Sequence, residues 1–256
     1  MHFTSKMLAK YLTKTVSRYQ PFSVHRTASV AKVMKPGDVL LVEGDQRVSS
    51  AIKYLTQSTW SHAAFYVGKL PGEPDEQHHL IEADLQNGVI AVPLSKYSKH
   101  NIRICRGLNL TEQHQQQICD FMIESIGMEY DLKNITDLLR YLLPNPPVPK
   151  RWRRRMLALG SGDPTRAICS SLIAQAFQSI KYPILPEKVC SAIDGRVARE
   201  IMHIRHHSLF APRDFDLSPY FKIIKLELEQ GFDYQSLEWQ QHTQAFLESG
   251  EKNTSA

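Results

Sequence analysis

Cysteine is scarce in this chain, with four residues in 256, and they are too scattered to staple a small fold. Cys105, Cys119, Cys169 and Cys190 contain no Cys-x-x-C pair, which also removes the usual spacing of a structural zinc site. Long apolar runs are missing too. No stretch reaches membrane-spanning length, and the first twenty residues lack the continuous apolar segment of a signal peptide. Together these absences lead us to expect free thiols in a reduced compartment, the cytoplasm. Neither sign of charge dominates: 31 Lys and Arg face 26 Asp and Glu, a formal +5, which suits an anionic partner without requiring nucleic acid. No internal repeat is visible.

What is present is ordinary globular material, 42% hydrophobic and 22% charged, enough for one large or two small domains. Residues 3–19 read as a basic amphipathic helix, with Phe3, Met7, Leu8, Tyr11, Leu12 and Val16 on one stripe. Such a helix either docks on its own domain or rests on a membrane surface. From Val33 the texture changes. Pro36-Gly37-Asp38 is a turn, 39–42 a short apolar strand, 47–57 a helix and 61–67 a strand. A Pro/Gly/Glu-rich loop follows over 69–78. Strands are then expected at 79–83, 89–92 and 102–105, the first two separated by an Asn87-Gly88 turn. A helix over 111–126 places Cys119, Met122 and Ile126 at core spacing.

Residues 144–149 (Pro-Asn-Pro-Pro-Val-Pro) exclude helix and central strand, and lead into Lys150-Arg151-Trp152-Arg153-Arg154-Arg155. That run reads as a solvated face or lid; no motif of a nucleic-acid-binding fold accompanies it. A Gly/Pro loop over 160–164 precedes a helix at about 167–180, and an alternating strand over 220–226 closes the domain. The expected organisation is an N-terminal extension (1–32), a main domain (33–226) with a basic insertion (131–166), and a polar tail (227–256). His203, His206 and His207 lack a matching carboxylate or cysteine and read as a surface cluster, so no metal is expected.

Three residues could carry chemistry. Cys169 falls in the first turn of its helix, where unpaired backbone N–H groups and the helix dipole favour a thiolate. It also shares an apolar face with Leu172, Ile173, Ala176 and Ile180, so ordinary core packing stands beside the functional reading. His62 opens a strand on which it shares one face with Ala64 and Tyr66, while Ser61, Ala63, Phe65 and Val67 take the other. Glu82 sits among Leu80, Ile81 and Ala83, where a carboxylate is costly unless paired, as with an imidazolium. A solvent-facing glutamate on an edge strand is the alternative.

In combination these segments resemble the NlpC/P60 superfamily in permuted order. Lys35-Pro36-Gly37-Asp38-Val39 is similar to the family's turn, and His62-Ala63-Ala64-Phe65-Tyr66-Val67-Gly68 to its histidine strand. Leu80-Ile81-Glu82-Ala83 is similar to the strand of the third polar residue, and Ile168-Cys169-Ser170-Ser171-Leu172-Ile173 to the nucleophile motif. Gly127-Met128-Glu129-Tyr130 is similar to the Gly-x-Pro-Tyr element. Histidine before cysteine is the order of the permuted YiiX/YebB-like branch and of lecithin:retinol acyltransferase relatives. Residues 211–220 also look like the YiiX-like group.

The resemblance implies an α+β papain-like fold, a small antiparallel sheet or barrel packed on the nucleophile helix. It implies Cys169 as nucleophile, His62 as base and Glu82 as orienter, with Tyr130, Ser170 and Tyr66 around the oxyanion and substrate, and no cofactor. The implied activity is amide hydrolysis of a peptide, muropeptide or related substrate through a thioester. Acyl transfer or deacylation on a lipid is the alternative, with peripheral membrane contact through residues 1–20 and 150–155. A non-catalytic binding module is another. The departures are Glu82 where many relatives carry His, Asn or Gln, Ser171 in place of glycine, and the 131–166 insertion.

Overall fold

The computed structural model describes residues 14–15, 27–70, 78–84, 87–129, 168–193, 197–203, 206–207, 210–226, 233 and 235. Its centre is strand β1 (Val39–Val42), a run of four apolar residues without polar alternation, all fully buried. Such a run suits a strand covered on both faces. It pairs antiparallel with β2 (His62–Gly68) on one side and β5 (Ile102–Gly107) on the other. Outward from β2 come β3 (His79–Asp84) and β4 (Gly88–Pro93), and outward from β5 comes β8 (Phe221–Ile224). The order β4-β3-β2-β1-β5-β8 makes an open antiparallel sheet among the described residues, with edges at β4 and β8.

One face is covered by helix α4 (Ile168–Ser179), which lies across β2 and β3 with α3 (Glu112–Glu124) against it. Leu41, Ala63, Phe65, Ile81 and Cys105 from the sheet meet Cys169, Ile173, Ala176 and Phe177 from α4 in this core. The other face buries Leu40, Val42, Ala64, Tyr66 and Leu80 beneath Val30 and Met34. Val30 belongs to α1 (Thr27–Val33), and Leu94 and Tyr97 of the same core form a 3-10 turn (Leu94–Tyr97). Period-two alternation thus assigns odd-numbered residues of β1, β2 and β3 to the α4 face and even-numbered ones of β1 and β3 to the other.

Two ion pairs, one on a buried carboxylate and one partly exposed, tie loops to this frame. Asp38 of the Pro-Gly-Asp turn is 1% exposed and accepts from Arg106 Nε at 2.8 Å and a terminal nitrogen at 2.7 Å. Asp216, in helix α5 (Pro212–Leu217), accepts from Arg103 at 2.6 Å and from Trp60 Nε1 at 3.1 Å. The second pair anchors the residues leading into β2.

Helix α2 (Arg47–Thr56) occupies the span expected, and α3 ends at Glu124 rather than 126. Ile126, expected in the core, is 39% exposed: the helix closes at Ser125, and the chain turns through Gly127 at φ +88°. Thr15 pairs antiparallel with Gln46, so the helix expected over 3–19 does not run through that residue. Apart from Lys14, the remainder of that span lies outside the described residues, as do the Pro-rich segment and the basic insertion. The hairpin of β6 (Glu187–Ile193) and β7 (Val197–His203), a separate two-stranded sheet, was not expected. Neither were α1 and α5.

Candidate active site

Cys169 and His62 lie far apart in the chain but meet where the start of α4 crosses the start of β2. Cys169 is 6% exposed, and the imidazole of His62 and the backbone N–H groups of Ala63 and Ser170 bond its sulfur. Burial alone would push this thiol up, but His62 and those two N–H groups outweigh it and hold Cys169 below the usual thiol range. The other described thiols behave oppositely. Burial pushes Cys119 up to about 11 and raises Cys105 further. Ordinary core packing therefore accounts for Cys105 and Cys119 but not for Cys169, although all three are free and buried.

Glu82 lies behind the imidazole. The Phe65–Ile81 pairing of β2 and β3, continued one step, sets Glu82 beside Ala64, on the sheet face opposite α4. His62 Nε2 donates to Glu82 Oε2 at 3.1 Å, leaving Nδ1 for the cysteine. Glu82 is 2% exposed, which removes the solvent-facing alternative. Burial would raise its carboxyl, but His62 and Lys96 bring it down to about 2. For His62 burial works toward the neutral ring, and the Cys169 and Glu82 charges override it, lifting the imidazole to about 10. The directions agree: each group's surroundings favour its charged form, thiolate, imidazolium and carboxylate.

Two further residues complete the carboxylate's surroundings. Lys96 Nζ binds Glu82 Oε1, and the Tyr97 hydroxyl donates to Oε2, the oxygen that also serves His62. Neither was singled out in the sequence. They sit in a short 3-10 turn with no periodic signal, and only the packing of that turn under β3 brings them to Glu82.

The other expected residues fall elsewhere. Ser170 directs its Oγ to the Phe210 carbonyl at 2.7 Å, so its hydroxyl braces the loop before α5 while its N–H faces the sulfur. Tyr66 is not brought to the cysteine. Its ring stacks on His78 in the second core, with its hydroxyl 2.5 Å from His78 Nδ1. The reason is the rise of the strand: Tyr66 lies four positions from His62, roughly 13 Å further along at about 3.3 Å per residue. Tyr130 lies outside the described residues. The segment before it is fixed to the sheet, with Val89 N–H donating to the Met128 carbonyl at 3.0 Å.

A sheet packed on a helix that presents a buried cysteine to a strand-borne histidine, with the histidine first in the chain, is a permuted papain-like arrangement. More particularly, residues 33–141 match the family model described as permuted papain-like amidase enzyme, YaeF/YiiX, C92 family. This bears out the YiiX-like resemblance and supports a papain-like enzyme of the amidase or peptidase class. The matched span includes His62 and Glu82 and ends before Cys169. One solved structure, titled as that of metalloprotein yiiX from Escherichia coli O157:H7, is similar at 15% identity and a TM-score of 0.45. The match covers 75% of this chain and 96% of that one. No curated protein matches the sequence. Among the described residues no helix is long and apolar enough to cross a membrane, and no three His, Cys, Asp or Glu cluster as metal ligands.

Proposed function

We propose that this protein hydrolyses an amide bond of a peptide or muropeptide through a thioester on Cys169. The observation that carries the reading is the placement of His62 between a thiol held low and a buried carboxylate. In the first step the Cys169 thiolate attacks the carbonyl carbon, forming a C–S bond and a tetrahedral oxyanion. Backbone N–H groups at the start of α4 are the donors suited to that oxyanion. Collapse breaks the C–N bond as the His62 imidazolium gives its proton to the leaving amine. Neutral His62 then takes a proton from water as the oxygen attacks the thioester. The C–S bond breaks, releasing the acid and restoring the thiolate–imidazolium pair. Glu82 keeps the ring in one tautomer and favours its charged form. A cytoplasmic setting favours short peptides or recycled muropeptides over intact cell wall.

The test is alkylation by iodoacetamide from pH 4 to 9, with each cysteine followed by mass spectrometry, beside turnover of peptide, muropeptide and acyl-lipid panels. Cys169 should react selectively well below pH 8, His62→Ala should abolish that selectivity, and only the amide panels should turn over. Reaction of Cys169 no faster than that of Cys105 and Cys119 would sink the proposal. Turnover confined to acyl-lipids would replace it with lipid chemistry.

A further inference from the structure

Charge around the cysteine does not balance within the Cys–His–Glu set alone. With Cys169 and Glu82 ionised and His62 protonated, three buried or half-buried groups carry a net charge of −1. Lys96 is the fourth group in contact, its Nζ on the Glu82 oxygen that His62 does not use. Its side chain is 39% exposed, so its ammonium stays solvated on one side while facing a carboxylate that is 2% exposed on the other. The remaining polar groups nearby are accounted for. Tyr97 donates to Glu82 and is held far from ionising by burial and by the carboxylate charge. Asp84 also acts on Tyr97, and His100 stands edge-on to the Tyr97 ring, with Asp45 at 3.7 Å from its Nε2.

We propose that Lys96 is a positioning residue whose charge cancels that of Glu82, so that Glu82 orients His62 without its charge opposing ionisation of Cys169. The inference rests on the catalytic reading above. An uncompensated carboxylate behind the imidazole raises the potential cost of every further negative charge nearby, the thiolate included. It also tightens the grip on the His62 proton, which must pass to the leaving amine. With Lys96 in place the four charges sum to zero. Glu82 then supplies direction to the ring while Cys169 still ionises readily.

The experiment follows the pH limb of Cys169 alkylation in the full-length protein and in Lys96→Met, Lys96→Arg, Glu82→Gln and the Lys96→Met/Glu82→Gln double variant. Lys96→Met should move the limb up by about one pH unit, a roughly tenfold loss of rate at a fixed pH below it. Lys96→Arg should leave the limb in place, and Glu82→Gln should move it down. The double variant, again neutral, should return it to within a few tenths of a unit of wild type. The limb is the readout because Glu82→Gln also loosens the ring and lowers the plateau. A role confined to bracing Glu82 predicts no such rescue. An unmoved limb in Lys96→Met, or a double variant as displaced as Lys96→Met, overturns the inference and leaves the catalytic pair standing. A wild-type limb unaffected by His62→Ala overturns the catalytic reading and this inference with it.

Discussion

At the scale of single residues, the site is a set of ionisations that each depend on the next. Glu82 is held at about 2 against an ordinary 4.5, so its contribution to stability is present above pH 4.5 and is lost as pH falls through about 2. His62, raised from 6.5 to about 10, contributes below pH 6.5 and loses that contribution as pH rises through about 10. Urea titrations at pH 3 and pH 5.5 should show wild type weaker at the lower pH, and Glu82→Gln should remove most of that difference. Asp38 supports a second prediction. Asp38→Asn leaves Arg106 facing a neutral amide where two short bonds held it, and we expect a loss of about 3 kcal/mol in unfolding free energy. Cys169 alkylation at pH 7 should change little, because Asp38 and Arg106 brace the turn before β1, away from the sulfur.

Among the elements, the strand-to-strand turn at Gly88 has the clearest consequence. Gly88 has φ +73°, and a Cβ there would collide with the Met128 carbonyl, the acceptor for Val89 N–H. Gly88→Ala should therefore cost about 1–2 kcal/mol from the left-handed backbone alone. It should also lower hydrogen-exchange protection at Val89 and Gly127, whose amides join the 127–129 segment to β4. The Asn87-Gly88 pair announces this turn in the sequence. Helix α5 has local signals too: Pro212 is its first residue, and Asp214 accepts from the Ala211 N–H at 2.9 Å. The 3-10 turn carrying Lys96 and Tyr97 has no such signature, which is why two of the carboxylate's three partners left no mark in the sequence.

Over the whole molecule, α4 must be held in register with β2 for the cysteine to meet the histidine. Phe177 does much of this. It is fully buried, and its ring meets those of Phe65 at 6.3 Å, Phe221 at 5.1 Å and Phe215 at 6.4 Å. Phe177→Ala should cost about 3–5 kcal/mol in a urea melt. Residual slack in α4 should also slow Cys169 alkylation under conditions where the variant remains folded. Phe177→Leu, closer in volume, should cost under about 2 kcal/mol and keep the alkylation rate.

Patterns within a few residues were enough to locate the central strands, the nucleophile helix and the order of histidine, carboxylate and cysteine. Apolar runs, turn dipeptides and helical spacing act locally, and each leaves its mark in adjacent positions. Whether Cys169 was core or nucleophile could not be decided that way, because a buried face and an active site use the same spacing. Tertiary structure adds what spacing lacks: it sets the imidazole and two N–H groups at Cys169 and packs Cys105 and Cys119 into the core, which favours the catalytic reading. It also places Tyr66 against His78 and brings Lys96 and Tyr97 to Glu82. Those choices depend on which strand end lies under which turn, and charge interacts through space rather than along the chain.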